Sequence, residues 1–72
     1  MRVMQIQVNG ESRVVSKDLS LPDLLVSLEI PPDRIAIELN ERVIRRAEWS
    51  KAVLQEGDKV EIVYFVGGGT KN

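Results

Sequence analysis

Val60 to Gly69 reads Val-Glu-Ile-Val-Tyr-Phe-Val-Gly-Gly-Gly, a strand that gives way to a ribbon without side chains. At period 2, Val60, Ile62, Tyr64 and Val66 share one face, and Glu61, Val63 and Phe65 share the other. One face is apolar throughout, and the other turns apolar as it nears the glycines. A strand needed on both faces sits in the middle of a sheet or, at its exposed end, forms part of a docking surface. The fold must therefore be a sheet assembled around its own last strand. Gly67, Gly68 and Gly69 carry no Cβ, so they can enter a channel too narrow for any other residue. A frayed terminus has the same composition, and the rest of the chain decides between the two.

The chain has 72 residues, enough for one small domain with a single modest core. With one Trp, one Tyr and one Phe, that core is mostly Val, Ile and Leu. There is no Cys, hence no disulfide to staple it. No run is apolar enough to span a membrane and no signal peptide is recognisable, so a cytoplasmic protein is expected. Ten basic and eleven acidic residues are interspersed for a net charge of −1, which offers no basic face for nucleic acid. His and Cys are both missing, which removes the commonest general base, the thiol nucleophile and the soft metal ligands. Five Ser remain without a His to activate them. The domain is not expected to be an enzyme, nor to bind a metal or cofactor of its own.

Met4 to Val8 alternates apolar and polar, and Asn9-Gly10 follows, the strongest two-residue hairpin signal because a type I′ turn needs φ > 0 twice. Glu11 to Ser16 is the return strand, with Val14 and Val15 as its apolar part. From Ser20 to Leu28 the period changes: Leu21, Leu24, Leu25 and Leu28 form one helical stripe. Ser20 is placed as N-cap with Asp23 three residues on, Pro22 is tolerated in the first turn, and Pro31-Pro32 forbids continuation. Ile35 to Leu39 alternates again, Asn40-Glu41 turns the chain, and Val43-Ile44 make a short strand. A helical turn is expected over Ser50 to Leu54, burying Trp49 or Val53-Leu54. Gln55-Glu56-Gly57-Asp58 is a polar turn, its carboxylates read as turn chemistry and not as an acid/base pair. Arg45-Arg46 reads as a solvated charge pair or a contact for an acidic partner. One helix across one face of a mixed four- to five-stranded sheet accounts for this order, with the first and last strands adjacent at its centre. Residues 1–66 are expected to form the domain and 67–72 a glycine-rich tail.

Several stretches, taken in this order, resemble the ThiS family of sulfur carriers in thiamine biosynthesis, whose fold is the ubiquitin-like β-grasp. Met4-Gln5-Ile6-Gln7-Val8-Asn9-Gly10-Glu11 is similar to its opening strand and turn. Ser20-Leu21-Pro22-Asp23-Leu24-Leu25 resembles its helix start, commonly Thr-Val-x-Asp-Leu-Leu. Ile35-Ala36-Ile37-Glu38-Leu39-Asn40 resembles its Val-Ala-x-x-x-Asn segment. Val43-Ile44-Arg45-Arg46-Ala47-Glu48-Trp49 resembles Ile-Val-Pro-Arg-x-x-Trp, with Arg45 in place of the usual Pro. Glu56-Gly57-Asp58-Lys59-Val60-Glu61-Ile62 matches Glu-Gly-Asp-x-Val-Glu-Ile, and Gly68-Gly69 falls on the terminal pair.

The resemblance implies an α+β fold and a chemistry carried by the main chain. A ThiF-like adenylating enzyme uses ATP to activate the carboxylate of Gly69, sulfur then replaces AMP, and thiazole synthase (ThiG) consumes the resulting thiocarboxylate. Three residues beyond Val66, at roughly 3.3–3.6 Å each, carry that carboxyl about 10 Å from the sheet. Val63 and Phe65, with Gly67 and Gly68, would then be the partner-binding residues; otherwise Val63 and Phe65 pack beneath a loop or are singly exposed. Here the carboxyl of Gly69 is tied in an amide to Thr70, followed by Lys71 and Asn72. Either a protease trims these residues, or they are foreign to the natural chain, or the carrier role has been lost and the fold retained. Two other readings remain: a ubiquitin-like binding module with an inert tail, and a carrier serving molybdopterin or cysteine synthesis.

Overall fold

The computed structural model describes residues 2–65. Five strands form one mixed sheet: β1 (Val3–Val8), β2 (Glu11–Ser16), β3 (Ile35–Leu39), β4 (Arg42–Ile44) and β5 (Lys59–Tyr64). A single α-helix, α1 (Leu21–Ser27), packs across one side, and a 3₁₀ turn (Arg46–Lys51) links β4 toward β5. The sheet order is β2-β1-β5-β3-β4, with β1 and β5 parallel and the other pairs antiparallel. The last strand is thus the central one, beside the first, as its sequence requires.

Alternation along the strands puts Met4, Ile6 and Val8, Ile35 and Ile37, and Val60 and Ile62 on one side of the sheet. Leu21, Leu24 and Leu25 of α1 close over them, and Trp49 and Leu54 complete the core. Each buried aliphatic side chain contributes about 1.5–3 kcal/mol, and every buried residue of this core is apolar.

Local chemistry fixes the element ends. The Ser20 hydroxyl accepts from the Asp23 N–H at 3.3 Å, capping α1, and Pro22 occupies its first turn. At the other end, the Ile30 N–H reaches the Leu25 carbonyl at 2.9 Å and the Glu29 N–H the Val26 carbonyl at 3.1 Å. That is a Schellman ending with Glu29, at φ 58, where glycine usually sits. The β1–β2 turn has Asn9 at φ 50 and Gly10 at φ 84, the expected type I′ pair.

The β3–β4 turn is built the same way, but with Asn40 at φ 52 and Glu41 at φ 70. Asn tolerates the left-handed region, whereas the Cβ of Glu strains it. Replacing exposed Glu41 by Gly removes that strain at some cost in unfolded-chain entropy. Glu41→Gly is expected to stabilise the domain by about 0.5–1 kcal/mol, raising Tm by several degrees in a thermal melt followed by circular dichroism. An unchanged or lower Tm would show that the turn is not strained.

Two expectations differ from the structure. The helical turn begins at Arg46, four residues before the expected Ser50, because Trp49 has to be drawn into the core from within it. Tyr64, although in phase with Val60 and Ile62, is 57% exposed, since the core ends at Ile62 and none of the described residues covers the strand beyond it. On β2, Val14 is exposed and Val15 only half-buried, as expected of an outermost strand whose solvent face is open.

Candidate functional site

β5 outruns the strand beside it. Its parallel ladder with β1 pairs Gln7 with Lys59 and Val8 with Val60, and there β1 turns away at Asn9-Gly10. Asn9 extends the ladder with its own side chain. Its Oδ1 accepts from the Ile62 N–H at 2.7 Å, and its Nδ2 donates to the Ile62 carbonyl at 3.4 Å, at the long end for such a bond. Its backbone N–H meets the Val60 carbonyl at 2.8 Å. One residue thus makes the turn and stands in for a missing strand position. On the other side, β3 accompanies β5 to Tyr64, paired with Ile35, and the Phe65 N–H donates to the Arg34 carbonyl at 2.8 Å. The end of β5 is thereby held straight up to Phe65, two residues before the first glycine of the tail.

Of the residues singled out in the sequence, Val63 is 47% and Phe65 57% exposed, and Tyr64 beside them is 57% exposed. Neither Val63 nor Phe65 lies beneath a loop. Together they form an apolar strip along the last part of β5. Gly67, Gly68 and Gly69 fall outside the described residues.

Glu56 and Asp58 act as turn residues. A Glu56 carboxylate oxygen accepts from the Gln5 N–H at 3.0 Å, and Asp58 accepts from the Gln55 N–H at 2.8 Å and the Asn40 side chain at 3.0 Å. Asn40 in turn accepts from the Lys59 N–H at 2.9 Å, so this network fixes where β5 starts. Gly57, at φ 85, supplies the left-handed turn within it. Arg46 is not merely solvated: it donates to the Pro32 carbonyl and lies over the Trp49 ring at 4.9 Å. Arg45 is exposed.

Among the described residues no group of three His, Cys, Asp or Glu could hold a metal, and no helix is long and apolar enough to cross a membrane. A surface recess lined by Arg2, Met4, Lys17, Leu54 and Glu56, among others, lies at the end of the sheet remote from Phe65. What the geometry offers is a strand held on both sides as far as Phe65, with Val63 and Phe65 exposed along it.

The ThiS family pattern matches residues 6–69. The chain belongs to the ThiS family. Its relatives include curated sulfur carrier proteins, and a solved relative has the fold described above. A crystal structure of the thiamine biosynthesis protein ThiS from Geobacter metallireducens superposes with a TM-score of 0.81 at 33% identity, covering 92% of this chain and 100% of that one. This is the ubiquitin-like β-grasp fold. The sulfur carrier protein ThiS of Bacillus subtilis is 34% identical over 65 residues, 89% of this chain and 98% of the relative. A thiazole synthase from Magnetococcus marinus is 39% identical over 66 residues, 92% of this chain and 20% of the relative. The chain spans about a fifth of the length of the thiazole synthases it matches.

The sequence signal for Asn9 was read as a turn alone. Its second role depends on Ile62, 53 residues away, and no local pattern announces it.

Proposed function

We propose that this ThiS-family chain carries sulfur for thiazole formation in thiamine biosynthesis, as a thiocarboxylate on Gly69. The observation that carries the reading is the family match over residues 6–69, which ends on the last glycine of the run. The structure supports it with a β5 held straight to Phe65 and so aimed out of the sheet.

A ThiF-like enzyme binds ATP, and a Gly69 carboxylate oxygen attacks the α-phosphate, releasing pyrophosphate. A sulfur nucleophile then adds to the acyl carbon and the C–O bond to AMP breaks. One difficult exchange is thereby divided into activation and displacement. The chain itself binds no cofactor; ATP belongs to the activating enzyme. Its own contribution is positional: Val63 and Phe65 grip the partner while Gly67 and Gly68 pass through a narrow opening. Thiazole synthase is the recipient, a choice supported by relatives of that name that contain a segment similar to this chain within a longer polypeptide. Thr70, Lys71 and Asn72 are removed by a protease before activation, which frees the Gly69 carboxyl. The process belongs to the cytoplasm, where ATP is available.

Intact-mass measurement tests this directly. A chain ending at Gly69, incubated with a ThiF-like enzyme, ATP and a sulfur donor, is expected to gain the mass of one oxygen-for-sulfur exchange, while the chain ending at Asn72 stays unchanged. Absence of the gain with an enzyme competent on another ThiS protein refutes the carrier role.

A further inference from the structure

β2 is an outermost strand, and its far edge is open. The Lys17 N–H, one step past β2, donates to the Arg2 carbonyl at 3.1 Å. The ladder with β1 therefore uses the main chain of every second residue back from there, Val15, Arg13 and Glu11. The N–H and C=O groups of Ser12, Val14 and Ser16 point outward along the open edge. Natural outer strands are commonly blunted by shortness, proline, a bulge or a central lysine. β4, the opposite edge, has only three residues. β2 has six in unbroken register with β1, none of them proline or lysine, and its Val14 is 67% exposed.

This edge is complementary to an antiparallel copy of itself with Val14 opposite Val14. Ser12 then pairs with Ser16 of the copy, and the outward N–H and C=O groups of all three residues find partners. On the sheet side away from α1, Val14 meets Val14. On the α1 side, which Arg13 and Val15 share with Ile6 and Met4, Arg13 faces Val15 and Glu11 faces Lys17, once on each side of a twofold axis. Every charged side chain from Glu11 to Lys17 has its place in this pairing. Lys17 gains most, because within its own chain it stands one ladder step past Val3 and Ser16, opposite another cation, Arg2. Among the described residues the one ion pair joins Arg13 and Glu11; Asp18 and Glu56 line a recess with Arg2 and Lys17 without pairing. The neighbouring registers that keep the hydrogen bonds set Arg13 against Arg13 in one direction and Arg13 against Lys17 in the other. Like charges thus exclude both, and one register remains.

We infer that a second copy of this chain adds to β2 along this edge, forming a twofold-symmetric dimer with one continuous sheet. Two short edges bury little area, so the complex is weak and forms reversibly. The twofold axis stands perpendicular to the sheet, which makes the two β5 strands antiparallel. Counting strand spacings of about 4.8 Å through β1 and β2 of both copies puts them roughly 24 Å apart. The Phe65 ends of β5 therefore point in opposite directions, and neither lies at the interface. The inference stands apart from the carrier reading and does not need it.

Sedimentation velocity of the full chain, from about 10 μM to about 1 mM, tests this. Wild type is expected to pass from monomer toward dimer as concentration rises, with exchange of the Val14 amide slowing over the same range. V14P removes an outward N–H that the ladder with β1 does not use, and V14K sets like charges together across the axis. Both are expected to remain monomeric, and V14K alone decides if circular dichroism shows V14P unfolded. E11K and K17E are each expected to dimerise about tenfold more weakly. The E11K/K17E double variant, which restores opposite charges across the axis, recovers most of that loss. Wild type that is still monomeric at the highest concentration overturns the inference. A dimer that V14K leaves intact uses another surface and overturns it too. So does a dimer indifferent to both E11K and K17E, because its register is a different one. None of these results bears on the carrier role, which sulfur uptake by the Gly69-ended chain tests separately.

Discussion

Replacing Gly69 by Val in a chain ending at that position is expected to reduce sulfur delivery by at least about a hundredfold, with the fold intact. Two effects combine. In the proposed carrier role the reacting carboxyl is on the main chain, so a Cβ there stands two bonds from the carbon that sulfur attacks and three from the oxygen that meets the α-phosphate of ATP. Displacements near 1 Å in such a geometry cost on the order of 10²-fold. In the proposed function the tail also traverses an opening in the partner, and the three successive glycines carry no side chains over that passage. Since Gly69 lies beyond the residues that build the core, the melting temperature should not change. Thiocarboxylate formed per minute, read by intact mass, separates this from a stability effect. A Gly69→Val chain that delivers sulfur at the wild-type rate would mean that the reacting group lies elsewhere.

Trp49→Ala should produce the largest loss of stability. Trp49 is 6% exposed, its Nε1 donates to the Ile44 carbonyl at 2.9 Å, and the Arg46 guanidinium lies over its ring. Truncation leaves a cavity in a core that few large side chains fill, at a cost of about 3–5 kcal/mol. A domain of this length holds only about 4–11 kcal/mol in total, so Trp49→Ala consumes much of it and brings the domain close to unfolding at 37 °C. Trp49→Phe keeps most of the ring volume but orphans the Ile44 carbonyl, for a smaller loss of about 1–3 kcal/mol. Urea unfolding followed by far-ultraviolet circular dichroism, which does not depend on the tryptophan, measures both. Equal stability of wild type and Trp49→Ala would show that the 3₁₀ turn does not hold the core together.

The two results would bear on separate parts of the molecule, and those parts differ in how far they were legible. The central position of β5 was read from apolar residues on both of its faces, and of these Val60 and Ile62 are buried while Val63 stays exposed. The Ser20 cap, the leucine stripe of α1 and the Asn9-Gly10 turn are written in windows of two to eight residues, and the structure contains each where the residues place it. Glu56 and Asp58, read as turn residues, do hold backbone N–H groups. The start of the 3₁₀ turn was misplaced because one turn has too few residues to show a period. What set it was the demand of the core for Trp49.

The sequence alone carried the resemblance to the ThiS family, and with it the main-chain chemistry at Gly69 that is proposed above. It determined the β-grasp order of elements as well, through periods that belong to each segment separately. Only the tertiary structure decided that Asn9 completes the ladder at Ile62, that Tyr64 is left uncovered, and that Glu38 and Glu61 stand opposite one another. The physical reason is common to all three. Each depends on which residue of a distant strand comes into register, and register is fixed by the packing of the whole sheet against α1, not by any stretch short enough to carry its own signal.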